Sequence, residues 1–317
     1  MREEIRIRYK QIMGINPAHA PGQGENQKTM GNDPRNMHQA PWRIGDLVSL
    51  MICANFKKLV NNSYVKYEYV DELHKSMRAD IIFKNVINET ILHIDDEVKG
   101  DFSDVYDPGL LWLAAPYYVK TYGYDIIPEL NWDDDEYDGP DLPKGEYIIF
   151  CPLTDAQYNL ERNMSQELVE SMCLKLKEKF GDSLYVIVNP NNENLVDSNN
   201  INRIISDRIY DLAYIIAHSK CFIGGDTGFS HLAGSSRLKQ QICLGWPKQR
   251  IEKFNYSDWP WFFINPFSLQ GQFMNHTWDM YPQVDKSVTD YHEFLLENNT
   301  LSEAQIDKLI TIIEQKE

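Results

Sequence analysis

The chain of 317 residues has no uninterrupted apolar run near the ~18 residues that a membrane-spanning helix requires. Its opening, Met1-Arg-Glu-Glu-Ile-Arg-Ile-Arg-Tyr9, lacks the apolar core of a signal peptide. The five cysteines (Cys53, Cys151, Cys173, Cys221 and Cys243) include no C-x-x-C pair, and they read as buried free thiols. Together these absences give the expectation of a cytoplasmic protein. The eight histidines are dispersed, with no two spaced i, i+3 or i, i+4, so no metal constellation stands out. Excess positive charge is missing too. Net charge is −16, which argues against broad non-specific nucleic-acid binding. That charge is uneven: residues 1–60 carry +4 and the remainder −20. A basic N-terminal segment could meet an anionic acceptor, or be a solvated loop. What is present is 43% hydrophobic content, enough for two cores in domains of about 150 residues each.

The richest stretch is Cys221-Phe-Ile-Gly-Gly-Asp226-Thr227-Gly228-Phe229-Ser230-His231-Leu232-Ala233-Gly234. Cys221 to Ile223 reads as a buried strand, and Gly224 and Gly225 as a sharp turn. Asp226 or Thr227 supplies an N-cap oxygen, and a helix begins at Gly228. Unpaired N–H groups and the positive end of the helix dipole make that place suited to a diphosphate. Thr227 and His231, four apart, can share the ligand face, while Phe229, Leu232 and Ala233 turn to the core.

Asp-Thr-Gly-x-x-His-x-Ala after a short apolar strand resembles the nucleotide-sugar site of glycosyltransferase family nine, the heptosyltransferases that extend a bacterial lipopolysaccharide core. The resemblance runs from about Glu146 to Trp246. In the first half only Arg43-Ile44-Gly45-Asp46-Leu47-Val48 is similar to the Gly-Asp turn near that family's start. It implies an α/β fold of the GT-B type, with two Rossmann-type doubly wound parallel-sheet domains and a cleft between them. It also implies an inverting transfer without a metal or other cofactor, the nucleotide-diphosphate sugar being a co-substrate. The acceptor it implies is a saccharide or glycolipid; the basic N-terminal segment leaves room for another hydroxyl-bearing acceptor, including a polyanionic one that carries a hydroxylated base in nucleic acid.

The residues alone support the parallel sheet. From Tyr147 onward, apolar strand-like runs alternate with helical patterns, which implies a doubly wound sheet binding its ligand beyond the strand ends. Thr154, Asn189 and Asp226 fall at such ends, so Thr154, Asn189 and Gly225 are expected to line the donor pocket. Ser165 and Gly181 bracket one helix, and Ser302-x-x-Gln305 opens another, expected to cross back to the N-terminal domain. The N-terminal domain is expected over 1–140, with an irregular loop at 16–41 and an acidic linker at 131–141, and the C-terminal domain over 142–317. In the first domain, strands are expected over Tyr64 to Val70 and Ile81 to Ile94. A helix is expected from Asp46 to Val60, striped by Leu47, Leu50, Met51 and Ala54, and a second over Leu110 to Tyr122. Asp133-x-Asp135 sits in linker context and is not taken as a metal pair.

The transfer needs a base, a charge-stabilising cradle for the leaving diphosphate and a water-excluding cleft. Asp46, at the position of the family's proposed base, is the catalytic candidate; the plain alternative is an N-cap. Arg43 and Gly45 beside it belong to the acceptor side. Thr227, Gly228 and His231 are the diphosphate candidates, with Asp226 organising the turn. The family's usual lysine after the strand at Tyr147–Phe150 is absent. Arg162 is the nearest cation, a substitute phosphate ligand or a plain surface residue. Lys248 is a secondary candidate. The aromatic cluster Trp259, Trp261 and Trp278 reads as core packing. Two other functions fit the same architecture: a sugar-nucleotide epimerase, which needs further carboxylates, and a catalytically silent nucleotide-binding module.

Overall fold

The computed structural model describes residues 44–45, 48, 51–52, 55, 65–69, 76–92, 127–152, 163–188, 200–225, 227–245 and 290–315. The chain forms two compact units, Met1–Asp133 with Phe254–Gln283, and Asp134–Lys253 with Val284–Glu317.

In the first unit, Ile44, Val48, Met51, Ile52 and Asn55 are helical and buried, spaced as one face of a helix. Gly45 is helical and buried as well. Gly45 is therefore not part of a turn ahead of the helix, because the helix already includes Ile44. Of the expected stripe, Met51 is in place, while Leu47, Leu50 and Ala54 lie outside the described residues, as does Leu110 to Tyr122. Strands β1 (Val65–Tyr69) and β2 (Ile87–Leu92) pair in parallel, with the short helix α1 (Ala79–Ile82) between them. The strand expected from Ile81 thus begins only at Ile87. Before it, Arg78 takes a left-handed backbone at φ 52° and forks onto both Asp80 carboxylate oxygens at 3.2 Å, starting a helical turn instead.

The second unit holds six parallel strands in the order β5-β4-β3-β6-β7-β8. They are β3 (Ile148–Cys151), β4 (Leu184–Ile187), β5 (Asn202–Ile204), β6 (Cys221–Gly225), β7 (Gln240–Gly245) and β8 (Asp290–Leu295). The period-2 pleat sends Ile148, Phe150, Cys221 and Ile223 to one face. Helices α2 (Gln166–Phe180) and α5 (Glu303–Glu314) cover that face with Leu168, Met172, Leu176, Ile306, Leu309 and Ile313. The opposite face carries Tyr147, Ile149, Cys151 and Phe222 under α3 (Ile209–Ala217) and α4 (Gly228–Ser235). Both faces are covered, so the inner strands β3, β4 and β6 read as continuous apolar runs.

The caps read from sequence form. Ser165 Oγ accepts from Leu168 N–H at 3.2 Å, and Gly181 ends α2 at φ 56°, a backbone that favours glycine. Ser302 Oγ accepts from Gln305 N–H, while Gln305 Oε1 accepts from Ser302 N–H at 2.9 Å. Helix α5 buries its apolar face in the core of the second unit.

The acidic stretch read as a linker spans the division between the units at Asp133/Asp134. Its downstream part is docked. Tyr137 stacks on Tyr214 at 4.6 Å, and Asp134 accepts from the Tyr214 hydroxyl. Arg208 reaches Glu136 at 3.3 Å and Asp138 at 3.8 Å. Buried Asp211 accepts from Asp138 N–H at 3.2 Å and from Ser206 Oγ at 3.1 Å. Burial first, then the Asp211 and Asp141 carboxylates, push the Tyr137 phenol up to about 12.

Candidate functional site

Sheet order decides where a ligand would sit. From β3 the chain moves outward through β4 to β5, then returns to the other side of β3 with β6. Between β3 and β6 the winding reverses, and such a reversal opens a crevice at the carboxyl ends of the strands. Those ends are Cys151, Ile187 and Gly225, on three adjacent strands, and the chain continues from them toward Thr154, Asn189 and Asp226.

From Gly225 the chain enters α4 within three residues. Gly224 and Gly225 are not a turn: both are buried strand residues that complete β6. Gly224 is there for space, since a Cβ would stand 2.6 Å from the Phe222 ring and 3.1 Å from the Cys151 carbonyl oxygen. Of the two N-cap candidates, Thr227 takes the position, extended at φ −135°. Its carbonyl accepts from Ser230 N–H at 3.0 Å and His231 N–H at 3.3 Å. Ser230 Oγ accepts from Thr227 N–H at 3.2 Å and donates back to the Thr227 carbonyl at 2.7 Å.

This bonding leaves a specific set of groups open. Among the described residues the N–H groups of Gly228 and Phe229 make no hydrogen bond, and Thr227, Gly228 and Phe229 are half-buried rather than covered. Among the described residues the buried Thr227 hydroxyl oxygen has no hydrogen-bond partner. No carboxylate stands in the first turn of α4. Two free N–H groups and a hydroxyl at the positive end of a helix form an anion cradle. Leu232 and Ala233 are fully buried and Phe229 packs against the core, as their spacing requires.

His231, expected on the ligand face with Thr227, is 3% exposed, while Gly228 and Phe229 in the first turn are half-buried. Arg43, Asp46, Thr154, Arg162, Asn189, Asp226 and Lys248 lie outside the described residues, as do Trp259, Trp261 and Trp278. Among the described residues no group of three or more His, Cys, Asp or Glu is placed to hold a metal, and no helix is long and apolar enough to cross a membrane.

Two residues near the cradle escaped the sequence reading. Ser230, three after the N-cap, completes the first-turn bonding, and T-x-x-S is a weak form of the capping-box signal. Gln241, fully buried on β7, donates from Nε2 to the Ser230 carbonyl at 2.8 Å. No local pattern points to Gln241, because its partner lies eleven residues away on another element.

No family model and no curated protein matches the sequence. Solved structures do. A glycosyl transferase of family 9 from Veillonella parvula superposes with a TM-score of 0.53 at 11% identity, over 86% of this chain and 95% of that one. The chain has its fold. The ADP-heptose lipopolysaccharide heptosyltransferase II of E. coli matches with a TM-score of 0.50 at 10% identity, over 87% of this chain and 98% of that one. An α/β architecture resembling these glycosyltransferases agrees with the resemblance carried by Asp226 to Ala233.

Proposed function

We propose that this protein is a glycosyltransferase that moves a sugar from a nucleotide-diphosphate donor to an acceptor hydroxyl. One observation carries the reading. The first turn of α4, with the N–H groups of Gly228 and Phe229 open, begins directly beyond the end of β6, beside the winding reversal of the sheet. The fold supports it, because the solved chains that share it are named as glycosyl transferase and ADP-heptose heptosyltransferase.

In this mechanism the donor diphosphate rests on Thr227 and the N–H groups of Gly228 and Phe229. Asp226 organises the turn, while Arg162 and Lys248 supply positive charge, and Thr154, Asn189 and Gly225 line the pocket. Asp46, with Arg43 and Gly45 on the acceptor side, takes the proton of the acceptor hydroxyl. The acceptor oxygen bonds to the anomeric carbon as the bond from that carbon to the phosphate oxygen breaks, inverting the centre in one displacement. The diphosphate keeps the electron pair, and the helix N-terminus stabilises its charge. His231, four residues after Thr227, donates a ring N–H to the diphosphate. No metal or other cofactor takes part in this scheme, and chelator-treated protein is expected to keep its activity. The named neighbours favour an ADP-linked sugar and a lipopolysaccharide-type acceptor. An acceptor of high negative charge would reveal itself by a steep loss of activity with salt.

The test is calorimetric titration with ADP, UDP, GDP and CDP and their sugars, followed by product analysis with candidate acceptors. The reading expects one nucleotide diphosphate to bind, Thr227→Val to weaken it, and Asp46→Asn to slow transfer by roughly 10²–10⁴ while leaving donor binding intact. Full activity in Asp46→Asn removes the base assignment, and absence of binding by every nucleotide removes the cradle.

A further inference from the structure

We propose that Gln241 is a positioning residue for the donor cradle, locking the first turn of α4 to β7 so that the helix N–H groups keep a fixed direction. The inference rests on the reading above that this turn holds the diphosphate. Gln241 is 0% exposed, and its Nε2 donates to the Ser230 carbonyl at 2.8 Å. Ser230 Oγ in turn donates to the Thr227 carbonyl at 2.7 Å and accepts from Thr227 N–H at 3.2 Å. Three linked contacts therefore run from the middle of the sheet to the residue that caps α4. The amide can point only one way, since a flipped group would set two acceptor oxygens against each other.

Stability alone does not select this residue. Strands covered on both faces are ordinarily apolar, and β7 pairs with β6 and β8 on its two sides. Among the described residues the buried Gln241 Oε1 has no hydrogen-bond partner, a cost that a methionine of similar length would not carry. A local departure that weakens the core while fixing a ligand-facing turn fits a functional demand. The neighbouring residue provides a matched comparison. Gln240, 2% exposed, donates from Nε2 to the Ile312 carbonyl of α5 at 3.0 Å, and its Oε1 is likewise buried without a partner. It pins a helix on the opposite face, away from the cradle.

The experiment compares Gln241→Met, Ser230→Ala and Gln240→Met with the unaltered full chain in three measurements. These are affinity for the nucleotide diphosphate identified in the titration, urea midpoint, and hydrogen exchange at residues 228–231. Gln241→Met is expected to keep or raise the urea midpoint, to weaken the nucleotide about 3–10-fold, and to speed exchange in the first turn of α4. Ser230→Ala, which cuts the same path with little change in volume, is expected to move affinity and exchange in the same direction. Gln240→Met is expected to leave affinity within about twofold. Affinity within twofold of the unaltered chain in both Gln241→Met and Ser230→Ala overturns the proposal, and so does an equal loss in Gln240→Met. If the unaltered chain binds no nucleotide diphosphate, the cradle reading fails separately. Unchanged exchange at residues 228–231 in Gln241→Met would then show that Gln241 fixes nothing.

Discussion

Adding one methyl group at Gly224 tests how tightly the strand that leads into the cradle is packed. The position lies on β6, in register with Cys151 of β3 and Cys243 of β7. A Cβ there would meet Phe222 Cζ at 2.6 Å, Phe222 Cε1 at 2.9 Å and the Cys151 carbonyl oxygen at 3.1 Å. The first two atoms belong to a fully buried ring, wedged in the cluster with Ile149, Ile216 and Ala233, so the ring cannot swing away. Overpacking of this kind costs about 1–3 kcal/mol. The smaller conformational entropy of alanine in the unfolded chain returns about 0.4–1 kcal/mol, because the strand backbone suits alanine. Gly224→Ala should therefore destabilise by about 1–2 kcal/mol net. Phe222→Leu removes the outer ring atoms and alone costs about 1–2 kcal/mol by leaving a cavity. Combined, the two should fall short of their sum by about 1 kcal/mol or more, since each relieves the other's defect. Urea unfolding followed by circular dichroism, with hydrogen exchange on β6 and α4 to report on that unit, measures all four corners of the cycle. Costs that add within about 0.5 kcal/mol would refute the steric argument.

Removing the Asp211 carboxylate as Asp211→Ala takes away the acceptor of Asp138 N–H and one of the acceptors of Ser206 and of Arg208. It should cost about 2–4 kcal/mol by urea midpoint and expose residues 134–142 to proteolysis. The Glu146 carboxyl is held below its usual range by hydrogen bonds from Lys239 and then Lys220. A carboxyl lowered in the folded chain contributes at neutral pH, and that contribution is lost as pH falls through the ordinary carboxylate range to the folded value. Glu146→Gln should thus show a flatter acid limb of melting temperature against pH. The difference should shrink in high salt because the group is exposed. Burial pushes the Cys173 thiol up to about 12, with Glu170 adding to the shift. Cys151, Cys173, Cys221 and Cys243 are all buried, so native protein at pH 8 should label at these positions only as fast as it unfolds. Rapid labelling of Cys173, mapped by mass spectrometry, would contradict that packing.

The second unit was legible because its physics is local and redundant. Strands covered on both faces print uninterrupted apolar runs such as Ile148–Cys151 and Cys221–Ile223. Ser165, Gly181 and Ser302 announce helix ends through groups that act within one turn. Other readings failed where a residue type carries two meanings. Two glycines suggested a turn, yet Gly224 and Gly225 are extended, and Gly224 yields its side-chain volume to Phe222. Gly45 likewise suggested a turn, yet it is helical and buried.

Gln241 and the acidic segment mark a different limit. A polar pair at 240–241 carries no apolar strand signal, yet β7 starts at Gln240. The strand keeps both glutamines because each donates to a carbonyl on a helix across one face of the sheet, at Ser230 and Ile312. Neither partner is visible in any window of sequence short enough to show a period. Asp134 to Asp138 likewise carries every compositional mark of a solvated linker. Tyr214 stacks on its Tyr137 and Arg208 bonds its Glu136, each from more than seventy positions away in sequence. Composition reports what a segment would do alone in water. The residues that matter most to the proposed cradle are those whose cost is met by a distant element, and a cradle fixed in that way should lose ligand affinity before it loses stability when Gln241 is replaced.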